Sequence, residues 1–242
     1  DVYKRQTMAL PKLEVPKYMM TVPSTGNEIE FRPFLVREEK LLLLAMEEQT
    51  ETATHNAVLD LVHSCTFGDL GKKSDPMFDI EYAFIKIRSK SVSETIDVRL
   101  LCPDDGETYV EKSIDIDEIQ ILVDENHSSH VELTDTLAID FTYPTIDTTL
   151  KSTKIESETE RVFFIIKSCV QAINFGEDTY NIVDISKKEL NEFIDSLTQE
   201  MFEKLQNFFS TMPRLRHVLD VENPKTGVVS QVALEGLGDF LN

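Results

Sequence analysis

The residues best suited to chemistry lie in three short connecting stretches, and the first of them resembles a phosphate-binding loop. This stretch, Phe67–Ser74, contains two glycines, two lysines and a serine. A phosphate-binding loop needs four residues between its glycines and a Ser or Thr directly after a single lysine, because its backbone N–H groups must wrap around the phosphates. Here two residues separate the glycines, and a second lysine precedes the serine. We therefore interpret the stretch as a polar turn and not as a nucleotide site.

The other two stretches contain cysteine or histidine, which are common zinc ligands. Cys102 begins the turn Cys102–Gly106, and His127 and His130 form a His-x-x-His pair. A structural zinc site needs four ligands, yet the sequence contains no Cys-x-x-Cys and neither stretch supplies the remaining ligands. The acidic run 115–118 lacks the Asp-x-Asp-x-Asp-Gly spacing of a calcium loop. We therefore predict no metal site and interpret the histidine pair as part of an exposed polar loop.

The sequence also lacks the compact motifs of the common enzyme classes. It has no Gly-x-Ser-x-Gly elbow, no His-Glu-x-x-His and no complete Gly-x-Gly-x-x-Gly, since Gly236 and Gly238 have no third glycine after them. Close pairs of carboxylates carry little information, because 44 acidic residues produce such pairs by chance. We therefore predict a protein that is not an enzyme and that binds no cofactor and no small-molecule substrate.

The charge balance indicates which partners the protein avoids. The 242 residues include 44 Asp and Glu against 24 Lys and Arg, so the net charge is −20. Nucleic acid and anionic membranes both require a cationic surface, so we exclude them as partners. The excess acid serves either solubility in a crowded cytoplasm or attraction of a basic partner protein, and the sequence leaves both open. The three scattered cysteines are typical of reduced thiols in a cytosol, and no apolar run approaches the roughly 18 residues of a membrane span.

The C-terminal stretch Ser186–Asn242 carries the clearest structural signals. Ser186 and Glu189 match a capping box, in which each side chain accepts a hydrogen bond from the backbone N–H of the other residue. Apolar residues then recur at helical spacing until a proline, which predicts one long helix over Lys187–Thr211. Beyond it, two Val- and Leu-rich runs flank Asn223–Gly227 and predict a terminal β-hairpin.

Hydrophobic periodicity predicts the other elements. Alternating residues on both sides of Pro23–Asn27 predict an N-terminal hairpin, and a period of two from Glu94 to Tyr143 predicts a small antiparallel lobe. A Thr- and Ser-rich stretch, Thr145–Thr159, is expected to be a linker or a loosely held helix. Four further helices are expected over Val36–Gln49, Thr52–Cys65, Met77–Ser89 and Glu160–Phe175. The last of them is expected to pack antiparallel against the long C-terminal helix.

Together these elements predict an α+β fold. It consists of a helical body with an N-terminal hairpin, an inserted small antiparallel β lobe, and a C-terminal long helix followed by a β-hairpin. We place the domain boundaries at residues 8–91, 92–144 and 145–242. Residues 1–7 are interpreted as a non-native extension, because Met8-Ala9-Leu10-Pro11 has the character of a natural start.

Both ends of the chain resemble a known family. The motifs PRLRHVL, NPKTG and VALEGLGDFL near the C-terminus, and the run Met8–Glu47 that begins MALPKLEVPKYMM, are similar to the base-plate protein family of T-even-type contractile-tailed bacteriophages. This resemblance implies binding to other phage tail or baseplate hub proteins, a basic one among the candidates. It implies a role in assembly of the central hub as an assembly factor or chaperone, or alternatively as a permanent structural subunit. The expected location is the host cell cytoplasm during infection, with the virion baseplate as the alternative.

Partner binding would need exposed apolar residues, and three groups are candidates. The four consecutive leucines of Val36–Gln49 exceed one helical stripe, so they are covered by the fold or by a partner, and the ordinary core interpretation is favoured. The two phenylalanines at the end of the long helix and the apolar residues that close the chain are the other groups. The complete set is Leu41, Leu42, Leu43, Leu44, Phe208, Phe209, Leu237, Phe240 and Leu241. We expect the closing segment to dock on the body or on a partner rather than to fray.

Overall fold

The computed structural model of the chain describes residues 14–241, except for the side chains of Glu51, Asp117 and Leu241. The expected extension at residues 1–7 and the start of the Met8–Glu47 segment lie outside the described residues. The described part is a mixed helix and sheet structure with eight α-helices and four antiparallel sheets. None of these helices is both long and apolar enough to cross a lipid bilayer.

The N-terminal part consists of a hairpin and three helices, close to the bounds that periodicity predicts. The hairpin pairs Tyr18 with Phe31 and Thr21 with Glu28. Its strands and the helices that follow are β1 (Tyr18–Thr21), β2 (Glu28–Phe31), α1 (Val36–Glu47), α2 (Glu51–Cys65) and α3 (Met77–Ser91). The helix α3 lies at the centre of this part, because it contacts α2, the first strand of the C-terminal hairpin and the final helix.

The rest of the chain alternates strands with shorter helices. The strands are β3 (Thr95–Leu101), β4 (Tyr109–Asp115), β5 (Gln120–Leu122), β6 (His130–Thr134), β7 (Leu137–Phe141), β8 (Val170–Phe175), β9 (Asp178–Asn181), β10 (Arg214–Glu222) and β11 (Val229–Glu235). The helices are α4 (Ile146–Ser152), α5 (Glu158–Cys169), α6 (Lys187–Asp195), α7 (Gln199–Thr211) and α8 (Gly236–Leu241).

The predicted long C-terminal helix is wrong, because the structure has two helices there. The capping box that begins α6 is present, with hydrogen bonds of 2.9 Å and 3.2 Å between Ser186 and Glu189. The helix ends at Asp195, and Thr198 then adopts an extended conformation and accepts a 3.3 Å hydrogen bond from the N–H of Met201. Ser and Thr hydroxyls compete with helix continuation by bonding to the local backbone, and this second cap starts α7.

The predicted helix Glu160–Phe175 is also wrong in its second half. The chain leaves the helix after Cys169 and continues as β8, which pairs with β7 on one side and β9 on the other. Val170, Ile173 and Phe175 are β-branched or aromatic and suit a strand as well as a helix stripe. The unpaired edge of β7 supplies the long-range partner that decides between the two. The expected antiparallel pair of long helices is therefore not formed.

The expected inserted lobe is not a separate sheet. Among the described strands, β3 and β4 pair only with each other, β5 pairs with β10 of the C-terminal hairpin, and β6 and β7 are completed by β8 and β9. The C-terminal hairpin is present, but the chain continues beyond it into α8 instead of ending there. The domain boundaries stay a prediction.

Two groups of buried residues form the interior. The larger extends from the N-terminal hairpin through α2 and α3 to the C-terminal hairpin and α8, and includes Ile80, Phe84 and Phe240. The smaller lies between the sheet of β6–β9 and the helices α5 to α7, and includes Phe141 and Phe208. A groove separates the two groups at the surface between α3, α5, α7 and β10.

Candidate functional site

The two histidines of the His-x-x-His pair have separate partners. His127 Nδ1 lies 2.9 Å from Thr211 Oγ1, its Nε2 lies 3.1 Å from the hydroxyl of Tyr143, and its ring stacks on that of Tyr143. The side chain of His127 is therefore half-buried, although the neighbouring residues on both sides are exposed as expected. Desolvation lowers its pKa, which favours the neutral ring. His130 is exposed, and its Nδ1 lies 2.6 Å from a carboxylate oxygen of Asp140.

The turn at Cys102 has a structural role. The carboxylate of Asp104 accepts hydrogen bonds from the amide of Asn223 at 3.0 Å and from the hydroxyl of Thr226, which joins this turn to the turn of the C-terminal hairpin. The thiol of Cys102, which begins the same turn, is buried. Among the residues that the structure describes, no group of three or more His, Cys, Asp or Glu side chains is placed to hold a metal ion.

The other two thiols are shielded as well. Burial raises the pKa of Cys65 to about 11 and that of Cys169 to about 12. Since the thiolate is the nucleophile and the metal ligand, neither cysteine is activated for chemistry at neutral pH.

The glycines of Phe67–Ser74 allow this turn to pack closely against α2. Gly71 has φ +92°, and a Cβ at this position would come within 2.5 Å of the backbone nitrogen of His63. Only glycine allows so close an approach at a positive φ. Leu70 of the same turn is buried in the larger core group.

The leucine run of α1 divides between the core and the surface. Leu42 is 8% exposed, whereas Leu41, Leu43 and Leu44 are 59%, 54% and 46% exposed. We call these last three residues the α1 leucine patch. Val36 and Met46 of the same helix are also exposed. Leu44 lies between Leu41 and Leu43 around the helix, so the three side chains form an apolar band that covers roughly 160° of its circumference at about 100° per residue.

The other candidate partner-binding residues are mostly buried, and they lie in different parts of the fold. Phe208 packs among Phe141, Tyr143 and His127 in the smaller core group, and Phe209 is half-buried beside it. Leu237 and Phe240 lie in the larger core group, with 5% and 0% exposure. The side chain of Leu241 is outside the described residues. The structure therefore does not bring the three candidate groups together into one surface.

Sequence reasoning missed the groove between the two core groups. It has a volume of about 600 Å³ and mostly apolar walls, and its lining includes the carboxylate of Glu81. Glu81 Oε1 accepts a 3.0 Å hydrogen bond from the backbone N–H of Leu237. Burial raises the pKa of this carboxyl to about 7, although that hydrogen bond opposes the shift. The sequence contains one signal for this groove. Ile80, Phe84 and Ile85 lie on more than one face of α3, which indicates that other elements cover this helix on several sides.

The comparison with known proteins agrees with the resemblance seen at the two ends of the chain. A family model described as T4 bacteriophage base plate protein matches residues 15–242. No curated protein and no solved structure shows a significant match to the chain. The match covers nearly the whole described fold, including the middle of the chain between the two ends that carry the resemblance. The chain therefore belongs to the T4 bacteriophage base plate protein family.

Proposed function

We propose that the protein acts in assembly of the baseplate central hub by binding other phage tail or hub proteins, without catalysing a reaction. Membership of the baseplate family, combined with the α1 leucine patch, carries this proposal. Full burial of one leucine side chain is worth roughly 1.5–3 kcal/mol, so three adjacent leucines provide a useful part of a protein interface. The shielded cysteines and the separated histidines support a binding role over a catalytic one.

The partner surface that we propose is the α1 leucine patch and its charged surroundings. Glu39, Glu47 and Glu48 are exposed beside the patch and outnumber the exposed cations there, Arg37 and Lys40. Opposite charge around an apolar centre speeds association and selects the correct partner. We therefore propose a partner that carries an apolar helix or strand face bordered by Lys or Arg. Such a partner would also reduce the repulsion that a net charge of −20 creates between assembled copies.

The second candidate function is that of a permanent structural subunit of the hub. In that role the apolar residues at the end of the chain would supply a lasting interface. Leu237 and Phe240 are instead buried against the body of the protein itself, so they offer no free apolar surface. We therefore favour the assembly factor, active in the host cytoplasm, over the permanent subunit.

The test combines mass spectrometry of mature phage particles with capture of hub and tape-measure proteins from infected cells. Capture of these proteins together with absence from mature particles supports the assembly factor. A fixed copy number in mature particles identifies a structural subunit instead. Failure to capture any hub or tape-measure protein contradicts hub binding in either role.

A variant pair tests the proposed surface. Replacement of Leu41, Leu43 and Leu44 by serine should abolish or strongly weaken capture while leaving the fold intact. The matched control replaces Val92, Val123 and Val183 by serine, since these are apolar residues of 57–86% exposure that lie apart from α1. Equal capture by the two variants would contradict the role of the patch.

A further inference from the structure

The groove between the two core groups has the form of a binding site. Met77 and Phe78 of α3 line one side, and Ile165 of α5 and Phe209 of α7 line the opposite side. Met77, Ile165 and Phe209 are each only half-buried, so the groove is open at the surface. Its volume of about 600 Å³ lies within the range of pockets that take a ligand or several side chains of a partner. Its walls favour an apolar occupant.

Glu81 is the buried charged group of the lining, with 6% exposure. Among the described residues, no cation forms an ion pair with Glu81, whose carboxylate accepts a hydrogen bond from the N–H of Leu237. The other charged groups of the lining are Arg214 and Glu235, and Glu235 lies 3.0 Å from Arg216 Nε in an ion pair of its own. A buried carboxylate without a cation is costly, because burial removes its hydration. A cation supplied from outside would remove this cost.

We propose that the groove binds an apolar segment of another baseplate protein and that this segment places a lysine or arginine beside Glu81. The proposal rests on the proposed function, since it adds a second contact and a chemical identity to the partner. Charge complementarity selects this occupant: the walls favour apolar side chains, and Glu81, the buried carboxylate of the lining, favours a cation. The net charge of −20 also attracts basic segments.

The first experiment measures binding of short overlapping synthetic peptides that cover the hub and tape-measure proteins of the same phage. The bound peptides should combine apolar residues with a Lys or Arg. Replacing that cation by Gln in the peptide, or Glu81→Gln in the protein, should weaken binding by about tenfold or more. Glutamine keeps an oxygen that accepts the hydrogen bond from Leu237, so the fold is preserved. Glu177→Gln, which changes an exposed carboxylate in the turn between β8 and β9, is the control and should leave peptide binding unchanged.

The second experiment locates the bound peptide. Methionine methyl groups labelled with ¹³C report contacts by NMR, and Met77 and Met212 lie in the groove whereas Met19 and Met46 are exposed elsewhere. The peptides should shift the signals of the first pair and not those of the second. Shifts confined to the second pair would overturn the proposal.

Other results also decide the matter. Equal binding by wild type and Glu81→Gln would overturn the pairing with Glu81, as would equal binding of peptides whose cation has been replaced. Capture of hub proteins by wild type and Glu81→Gln alike would refute the groove proposal but leave the proposed function intact. Failure of the wild-type protein to capture any hub or tape-measure protein would refute the proposed function.

Discussion

The guanidinium of Arg88 donates a 2.8 Å hydrogen bond to the backbone carbonyl of Phe240, whose ring is completely buried. Seven residues earlier on the same helix, Glu81 accepts the hydrogen bond from Leu237. Helix α3 therefore holds both the beginning and the end of α8. The described residues of the closing segment thus dock on the body of the protein.

This attachment predicts that the closing segment contributes to stability. Phe240→Ala should lower the free energy of unfolding by about 3–5 kcal/mol, because it removes a large side chain from a packed core. The control Phe175→Ala removes a ring that is 56% exposed and should cost less than about 1 kcal/mol. Chemical denaturation measures both variants. Similar unfolding midpoints for the two would contradict the docking of α8.

The buried carboxyl of Glu81 predicts a dependence of stability on pH. Its pKa is raised by burial from 4.5 to about 7 in the folded protein, so the fold favours the protonated form. The contribution of the protonated Glu81 carboxyl to stability is fully present below about pH 4.5 and is lost as the pH rises through about 7. Glu81→Gln should therefore stabilise the protein by up to about 3 kcal/mol at about pH 8 and by much less at about pH 5. Denaturation curves at the two pH values test this, and an equal effect at both would contradict it.

Glu38 predicts the opposite dependence. Burial alone would raise its pKa, but hydrogen bonds from Arg32 at 2.9 Å, Arg37 at 2.7 Å and the N–H of Leu35 at 2.7 Å outweigh it and lower the pKa to about 2. The charged form is therefore favoured, and its stabilisation is present above about pH 4.5 and lost as the pH falls through about 2.

Glu38→Gln should cost about 3 kcal/mol at neutral pH, the lower end of the range for breaking a buried ion pair. The exposed pair of Lys17 and Glu30, at 2.6 Å, provides the control, and Glu30→Gln should cost less than about 1 kcal/mol. The cost of Glu38→Gln should shrink as the pH falls toward about 2. A cost that does not change with pH would argue against the low pKa.

Two neighbouring leucines of α1 should differ in their contribution to stability. Leu42→Ala should destabilise the protein by about 2–5 kcal/mol, because Leu42 packs in the larger core group. Leu43→Ala should change stability by about 0.5 kcal/mol or less, since that side chain is 54% exposed. Thermal or chemical unfolding of the pair separates the inward leucine from the exposed one. Equal losses would mean that the α1 leucine patch is covered by the protein itself.

The sequence predicts local structure correctly where that structure depends only on residues close together in the chain. The capping box at Ser186 and Glu189 forms as expected, and both hairpins form around their Pro- and Gly-containing turns. The errors arose where two local structures compete. The segment Val170–Phe175 suits a helix or a strand, and only the free edge of β7 decides for the strand.

The sequence by itself determined the capping box at Ser186 and Glu189, the hairpin turns, the acidic charge and the family, because each depends on residues close together in the chain or on composition. The tertiary structure alone decided which leucine of α1 turns inward, that β5 joins β10, and that Glu81 lies in an apolar groove. These features depend on contacts between residues far apart in sequence. Leu237 and Glu81, for example, are 156 positions apart. Hydrophobic periodicity shows that a face is buried but does not identify the element that buries it.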